Sequence, residues 1–246
     1  MKSSFEGVSD PGLVRQVNQD AYYIDPKGRY FIVADGMGGH AGGQEASGIA
    51  TKTIQSYLDE NWDSAQDSEM LLEGAFHKAN QAILKDQGKH PERSDMGTTA
   101  VVLVFREQSH WVAHVGDSRL YRLRSSNLEQ MTEDHTWVAK ATKAGALTSK
   151  QAKSHPWRHM LSQCLGREDL AQVEIHPLDV QKDDRLLLCS DGLTEEVPES
   201  EIAKLLEYPL CDKAATALVE AAKENGGRDN ITVIIVAIEG SVSQES

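Results

Sequence analysis

Five aspartates stand where apolar runs end, and together they suggest a metal chemistry. Asp35 follows Phe31-Ile32-Val33-Ala34 and precedes Gly36, and Asp117 follows His114-Val115-Gly116. Asp191 follows Leu186-Leu187-Leu188-Cys189-Ser190 and precedes Gly192. Asp229 lies in Gly226-Gly227-Arg228-Asp229-Asn230 before the last apolar run, and Asp20 adjoins the first. A carboxylate fixed at a strand end beside a glycine offers a side-chain oxygen and an unobstructed carbonyl. That pairing suits a hard divalent cation. Any one of the five alone reads as a turn residue, since aspartate is poor in strands and common in turns. The repetition says more. If the strand ends share one edge, the carboxylates converge and repel one another until divalent cations compensate them. All-oxygen donors select magnesium or manganese over zinc or copper. Shared carboxylates imply two metals about 4 Å apart, able to activate a bridging water for in-line attack on phosphorus.

Other chemistries compete for the same letters. Gly36-Met37-Gly38-Gly39-His40-Ala41 fits G-x-G-x-x-A, with Asp59 and Glu60 near the place of a ribose-binding acid. Asp35 would then face a pyrophosphate with the wrong charge, and a second helix follows where a strand is needed for a βαβ unit. A cysteine phosphatase needs Cys-x5-Arg, but the residues six beyond Cys164, Cys189 and Cys211 are Leu170, Glu195 and Ala217. Neither a D-x-D-x-[TV] nucleophile nor a Walker loop occurs.

The elements that must position these residues follow from periodicity. Ser9-Asp10-Pro11-Gly12 reads as a turn, and Ala21 to Ile24 and Tyr30 to Ala34 read as a hairpin across Asp25-Pro26-Lys27-Gly28. Helical spacing runs from Gln44 to about Leu58 and from about Glu69 to Gln87. Thr99 to Phe105, His110 to Val115 and Leu120 to Leu123 form a meander of strands. Met131 to about His155 lacks a strong apolar stripe and reads as a surface excursion. Arg185 to Ser190 is a strand of fully buried type, helices follow at 199–206 and 212–223, and Ile231 to Ile238 is the last strand. Mostly antiparallel strands with helices in two blocks give an α+β fold. No linker or repeat divides it, so residues 1–240 read as one domain and 241–246 as a disordered tail. At 39% hydrophobic residues a sizeable core forms, and the net charge of −13 argues against nucleic-acid binding. An anionic substrate would then need local cations. No apolar run reaches the roughly 20 residues of a membrane helix, and the start has no signal-peptide core, so the expected location is the cytoplasm. Three widely spaced cysteines without CxxC indicate neither disulfides nor zinc.

Six separated motifs carry a resemblance. Asn18-Gln19-Asp20, Val33-Ala34-Asp35-Gly36-Met37-Gly38-Gly39, Met96-Gly97-Thr98-Thr99, Val115-Gly116-Asp117-Ser118-Arg119, Ser190-Asp191-Gly192-Leu193 and Arg228-Asp229-Asn230 stand in the order and spacing of the metal-dependent protein phosphatases of type 2C. The match runs from about Gly7 to Ile238, and the wording looks closest to small cyanobacterial members that act on the phosphorylated PII signalling protein. The resemblance implies a sandwich of two antiparallel sheets flanked by helix pairs, acting as a monomer on phosphoserine and phosphothreonine of proteins. It implies that a hydroxide bridging two Mn2+ or Mg2+ ions attacks phosphorus directly. Asp35 would bridge the metals, Gly36 would lend its carbonyl, and Asp191 and Asp229 would complete the pair, with Asp20 holding a metal-bound water. Asp117 with Asp191 resembles a third-metal site, and Arg15 matches the arginine that clamps phosphate. Residues 134–165 correspond to a mobile flap.

The departures are local. Gln19-Asp20 stands for the Glu-Asp of many eukaryotic members, and Met37 stands where they carry the histidine that serves as general acid. His40 is the nearest substitute, and it reads equally as a packing residue at the helix start. His159 replaces a frequent asparagine and Gln163-Cys164 a common Arg-Ala, while His135 reads as a hinge. The rival reading of another class is a catalytically inactive phosphoprotein-binding module on the same fold.

Overall fold

The structure, a computed structural model, describes residues 2–39, 42–106 and 109–239. Its strands are β1 (Lys2–Asp10), β2 (Asp20–Ile24), β3 (Tyr30–Met37), β4 (Gly97–Thr98), β5 (Ala100–Arg106), β6 (Ser109–Val115), β7 (Arg119–Arg124), β8 (Asn127–Gln130), β9 (Glu174–Leu178), β10 (Arg185–Cys189) and β11 (Ile231–Glu239). Its helices are α1 (Gly42–Asn61), α2 (Ser68–Gln87), α3 (Trp137–Lys143), α4 (Ser149–Lys153), α5 (Asp191–Thr194), α6 (Glu199–Leu206) and α7 (Cys211–Glu224).

Two antiparallel sheets face each other. One has the order β1-β11-β10-β7-β8 and the other β2-β3-β5-β6-β9, with β4 paired beside β3. Successive strand residues point to opposite faces, so the continuous apolar run of β3 serves two cores. Phe31 and Val33 pack between the sheets with Leu103, Leu188, Ile234 and Val236. Tyr30 and Ile32 point the other way, under Ile54 and Leu58 of α1 and Phe76 of α2. On the second sheet Leu187, Val233 and Ile235 meet Ile202 of α6 and Leu218 of α7. The expected α+β sandwich with a helix pair on each outer face is the observed architecture.

The differences lie at the edges. β1 pairs with β11 along nine residues, from Lys2 opposite Glu239 to Asp10 opposite Ile231, where periodicity marks only the turn that follows. Its letters Lys2-Ser3-Ser4-Phe5-Glu6-Gly7-Val8-Ser9 carry two large apolar residues, because an edge strand buries little. β8 and β9 are also edge strands that hydropathy alone does not reveal. β9 contains Pro177, a residue confined to such positions because it lacks an N–H. The excursion after β8 folds into the short helices α3 and α4, capped by Thr136 and Thr148. Its two ends are zipped together: Trp137 N–H donates to Met160 C=O (2.8 Å) and Ser162 N–H to His135 C=O (2.8 Å). No helix among the described residues is long and apolar enough to cross a membrane. The tail assigned to disorder, 241–246, lies outside the described residues.

Candidate metal and phosphate site

Asp20 and Asp35 sit directly opposite in the β2–β3 ladder. Like charges in that position repel, so the register is held by other bonds. Asp35 N–H donates to Thr99 Oγ1 (3.0 Å), and its C=O accepts from Thr98 Oγ1 (2.8 Å) and Thr99 N–H (2.9 Å). These bonds use only the backbone of Asp35 and leave its carboxylate uncommitted. Gly36 N–H donates to Gln19 C=O (3.1 Å), and a Cβ on Gly36 would lie 2.0 Å from Gly43 O and 2.6 Å from Gln19 O. Only glycine lets the start of α1 close on this strand end.

The other carboxylates arrive from the second sheet and its loops. Asp191 opens the four-residue α5 directly after β10. A Cβ on the next residue, Gly192, would meet Asn230 O at 2.0 Å, so α5 and the approach to β11 are in close backbone contact. Asp229 lies there, and its Oδ2 accepts from Arg15 Nη2 (2.7 Å). Arg15 is carried on the loop 11–19, which Asn230 ties down. Asn230 Oδ1 accepts from Gln19 N–H (2.8 Å), and its Nδ2 donates to the carbonyls of Pro11 and Val17 (3.1 Å each). In the sequence Asn230 is only a letter of a motif, and nothing local reveals this reach across more than 200 residues of chain.

Asp117 follows Gly116, whose φ of 106° and close approach to the Thr99 side chain require glycine. His135 clamps that turn twice: its N–H donates to Gly116 C=O (2.9 Å), and its Nδ1 accepts from Gly116 N–H (3.2 Å). An accepting Nδ1 places the ring proton on Nε2, which donates to Glu174 Oε2 (3.1 Å). His114 stacks on this ring at 4.7 Å. His114, His135 and Glu174 together have the composition of a metal site, but His135 has no lone pair left to give. The trio is a clamp on the Asp117 turn, in keeping with the hinge reading of His135.

A cleft of about 450 Å3 runs over these strand ends, lined by Arg15, Asp35, Gly36, Asp117, Asp191 and Asp229 and, from the excursion after β8, by His159. Asp20 lies behind Asp35, with Oδ2 accepting from Ser190 Oγ (2.7 Å) and Oδ1 buried without a partner. His40, the candidate proton donor, falls outside the described residues. Every other residue singled out for chemistry is therefore at or next to one cleft. Burial first, then repulsion from Asp20, Asp191, Asp117 and Asp229, pushes the Asp35 carboxyl well above the usual range. Asp117 is raised in the same way by burial, then Asp191 and Asp134. Burial raises Asp20 to about 6, against the pull of its hydroxyl partners. A carboxylate cluster that holds protons this tightly, one oxygen of it orphaned, is short of positive charge. Its donors are all oxygen. The set fits a hard divalent cation such as magnesium or manganese.

Comparison with known proteins agrees with this fit. The family model "Protein phosphatase 2C" matches residues 14–231. The serine/threonine protein phosphatase PstP of Mycobacterium tuberculosis is 35% identical over 230 residues, covering 94% of this chain but 44% of PstP. The chain thus spans less than half the length of that relative. Protein phosphatase PhpP of Streptococcus pneumoniae is 36% identical over 237 residues, 94% of this chain and 96% of PhpP. The crystal structure of the PstP catalytic domain with two manganese ions superposes with a TM-score of 0.87 at 32% identity, over 97% of this chain and 99% of that one. With the family model matched over residues 14–231 and bacterial phosphatases more than 30% identical over nearly all of this chain, the chain belongs to the protein phosphatase 2C family, the metal-dependent serine/threonine protein phosphatases.

Proposed function

We propose that this chain hydrolyses phosphoserine and phosphothreonine in proteins, as a monomer in the cytoplasm. One catalytic domain over residues 1–240 would carry the activity, with 134–165 as its flap. The observation that carries the reading is the convergence of Asp35, Asp117, Asp191 and Asp229 with Arg15 on one cleft. Asp20, Asp35, Gly36, Asp117, Asp191 and Asp229 would hold the cations. Bound manganese or magnesium supplies water activation and neutralises charge developing on the phosphoryl oxygens.

The chain's own residues do the rest. Arg15 stands at the cleft rim with its fork on Asp229, free to swing onto a phosphate, for which a planar guanidinium is well shaped. The Arg15–Asp229 pair is solvent-exposed, so its loss costs little. Asp35 and Asp191, fixed through backbone and helix start, keep the charge pattern rigid. Cys164 is the one cysteine lining the cleft among the described residues, and burial raises its thiol above the usual range, which makes it a poor nucleophile. Water is the expected nucleophile, and trapping a phosphorylated side chain during turnover would overturn this.

The test is phosphate release from a phosphothreonine peptide with manganese and with EDTA. Activity in manganese alone is expected. Folded protein silent in both would favour a phosphoprotein-binding module instead. Arg15→Ala should raise KM for the peptide about tenfold, the worth of one charge-assisted contact. Its manganese affinity, read by calorimetry, should not weaken, since Asp229 is left free for the cation. Unchanged kinetics would remove Arg15 from the site. Among natural substrates, phosphorylated PII is the first to assay, because the motif wording resembles the phosphatases that act on it.

A further inference from the structure

Charge is spread unevenly along this acidic chain. Of its 25 lysines and arginines, five fall between His135 and Leu165, and none of its 38 aspartates and glutamates does. The segment is the flap of the proposed domain. Helix dipoles do not account for its composition. Lysines near the ends of α3 and α4 suit the dipole, but an acid would suit each first turn. Helices α1, α2, α5, α6 and α7 carry one there, whereas α3 and α4 carry none. Lys143 pairs with Glu133 (2.8 Å), and Lys140, Lys150, Lys153 and Arg158 make no ion pair among the described residues.

The same segment exposes aromatic surface. Two of the four tryptophans lie on it, Trp137 at 37% and Trp157 at 50% exposure, with Met160 at 47%. The rings brace one another. Trp137 and Trp157 meet edge to face at 5.2 Å, and His155 lies 5.0 Å from Trp137. His155 Nδ1 also accepts from Trp157 N–H (3.1 Å), so the platform is set before anything binds. Rigid tryptophans are the characteristic anchors of protein interfaces. Lys140 lies one turn on from Trp137, on the same face of α3. Val138, Ala139, Thr142 and Lys143 instead line a groove of about 820 Å3 beside α5, where His159 contacts Glu195. The face bearing Trp137 is thus left to solvent. It stands near the catalytic cleft, because the neighbouring Thr136 bridges to Leu161, which lines that cleft.

We propose that this face docks an acidic segment of the phosphoprotein substrate, with one apolar side chain of that segment seated on Trp137, Trp157 and Met160. The inference rests on the phosphatase reading of the cleft and adds to it the substrate's chemistry beyond the phosphorylated residue. Bare indole faces would also attract a basic segment, but the five cations repel one. Nucleic acid or an anionic membrane extends past the flap and meets the field of the whole chain, with its net charge of −13. A short acidic segment meets only the local positive field, which reaches about 8–10 Å.

Phosphothreonine peptides carrying Glu-Leu-Glu, Ala-Leu-Ala or Lys-Leu-Lys at stepped distances on either side of the phosphorylated residue test this in manganese. At the best spacing the acidic peptide should exceed the alanine one about tenfold in kcat/KM at low salt, as two or three exposed charge pairs would give. High salt should shrink that advantage. Lys140→Glu combined with Lys150→Glu should abolish or reverse the order, and Trp157→Leu should raise KM for the acidic peptide. Both variants should hydrolyse p-nitrophenyl phosphate, which needs only the cleft, at the wild-type rate. The unphosphorylated acidic peptide should shift the tryptophan emission of the wild type, and vesicles of anionic lipid should not. Equal turnover of acidic and alanine peptides at every spacing, an order that survives the charge reversal, or an emission shift with vesicles alone overturns the docking face. Hydrolysis of p-nitrophenyl phosphate persists in each of those cases. Its absence from folded wild-type protein in manganese overturns the phosphatase reading as well.

Discussion

Asp35→Asn is expected to lower phosphate release by at least about 10^3-fold while raising the thermal stability of the metal-free protein. The two effects share one cause. The Asp35 carboxyl is half-buried at the cleft, faces Asp20 across the ladder, and is repelled by Asp191, Asp117 and Asp229 as well. Asparagine has the same shape and leaves intact the three bonds that hold the position, because those run through the backbone. What it removes is the charge. Without cations that charge opposes folding, and with cations it would be one of the groups that hold them. Most substitutions at a buried polar position destabilise. A variant that is inactive, manganese-blind and yet more stable in EDTA would separate a metal ligand from a structural aspartate. Wild-type manganese affinity in Asp35→Asn would remove Asp35 from the centre.

How much of this was legible in the sequence depends on how far each signal reaches along the chain. Asp35, Asp117, Asp191 and Asp229 were visible because each sits where a buried strand meets a turn, and the letters on both sides record that. The sandwich was visible for the same reason: β3, β5, β10 and β11 are apolar on both faces and leave no helical alternative. β1, β8 and β9 were not, because edge strands satisfy half their backbone in solvent and need few apolar side chains. Gly36 reads in the sequence as an unobstructed carbonyl beside Asp35, whereas the structure adds that a Cβ there would meet the Gly43 carbonyl, which the letters do not show. The hold of Asn230 on the Arg15 loop, and the contact of His159 with Glu195, join residues on different elements. No periodicity encodes such pairs.

The stabilisation conferred by manganese should grow with pH, from small at pH 5 to roughly 10–20 °C in Tm at pH 7.5. The upper figure follows from about 2.7 kcal/mol per site at a hundredfold excess over Kd, two sites, and about 2–4 °C per kcal/mol for a chain of this size. The pH dependence follows from the raised carboxyls. Asp20 titrates near 6 in the folded protein, and Asp35 and Asp117 are raised well above their ordinary 3.8. Unfolded, all three ionise near 4. Above that pH the folded, metal-free protein therefore binds more protons than the unfolded chain, and linkage makes these groups lose stability as pH rises through their folded values. Other groups behave differently. Asp25 and Glu196 are lowered by arginine partners, so their contribution is lost only on acidification below about 4. His114 is lowered by burial, so it adds stability as pH rises toward 6.5. None of the three contributes to the manganese increment, because none of them lines the cleft. Only carboxyls for which proton and cation compete remain in that difference. Thermal unfolding in EDTA and in manganese, at pH 5, 6 and 7.5, gives the increment directly. A value independent of pH would mean that the ion binds away from the buried aspartates, and the site would have to be sought elsewhere.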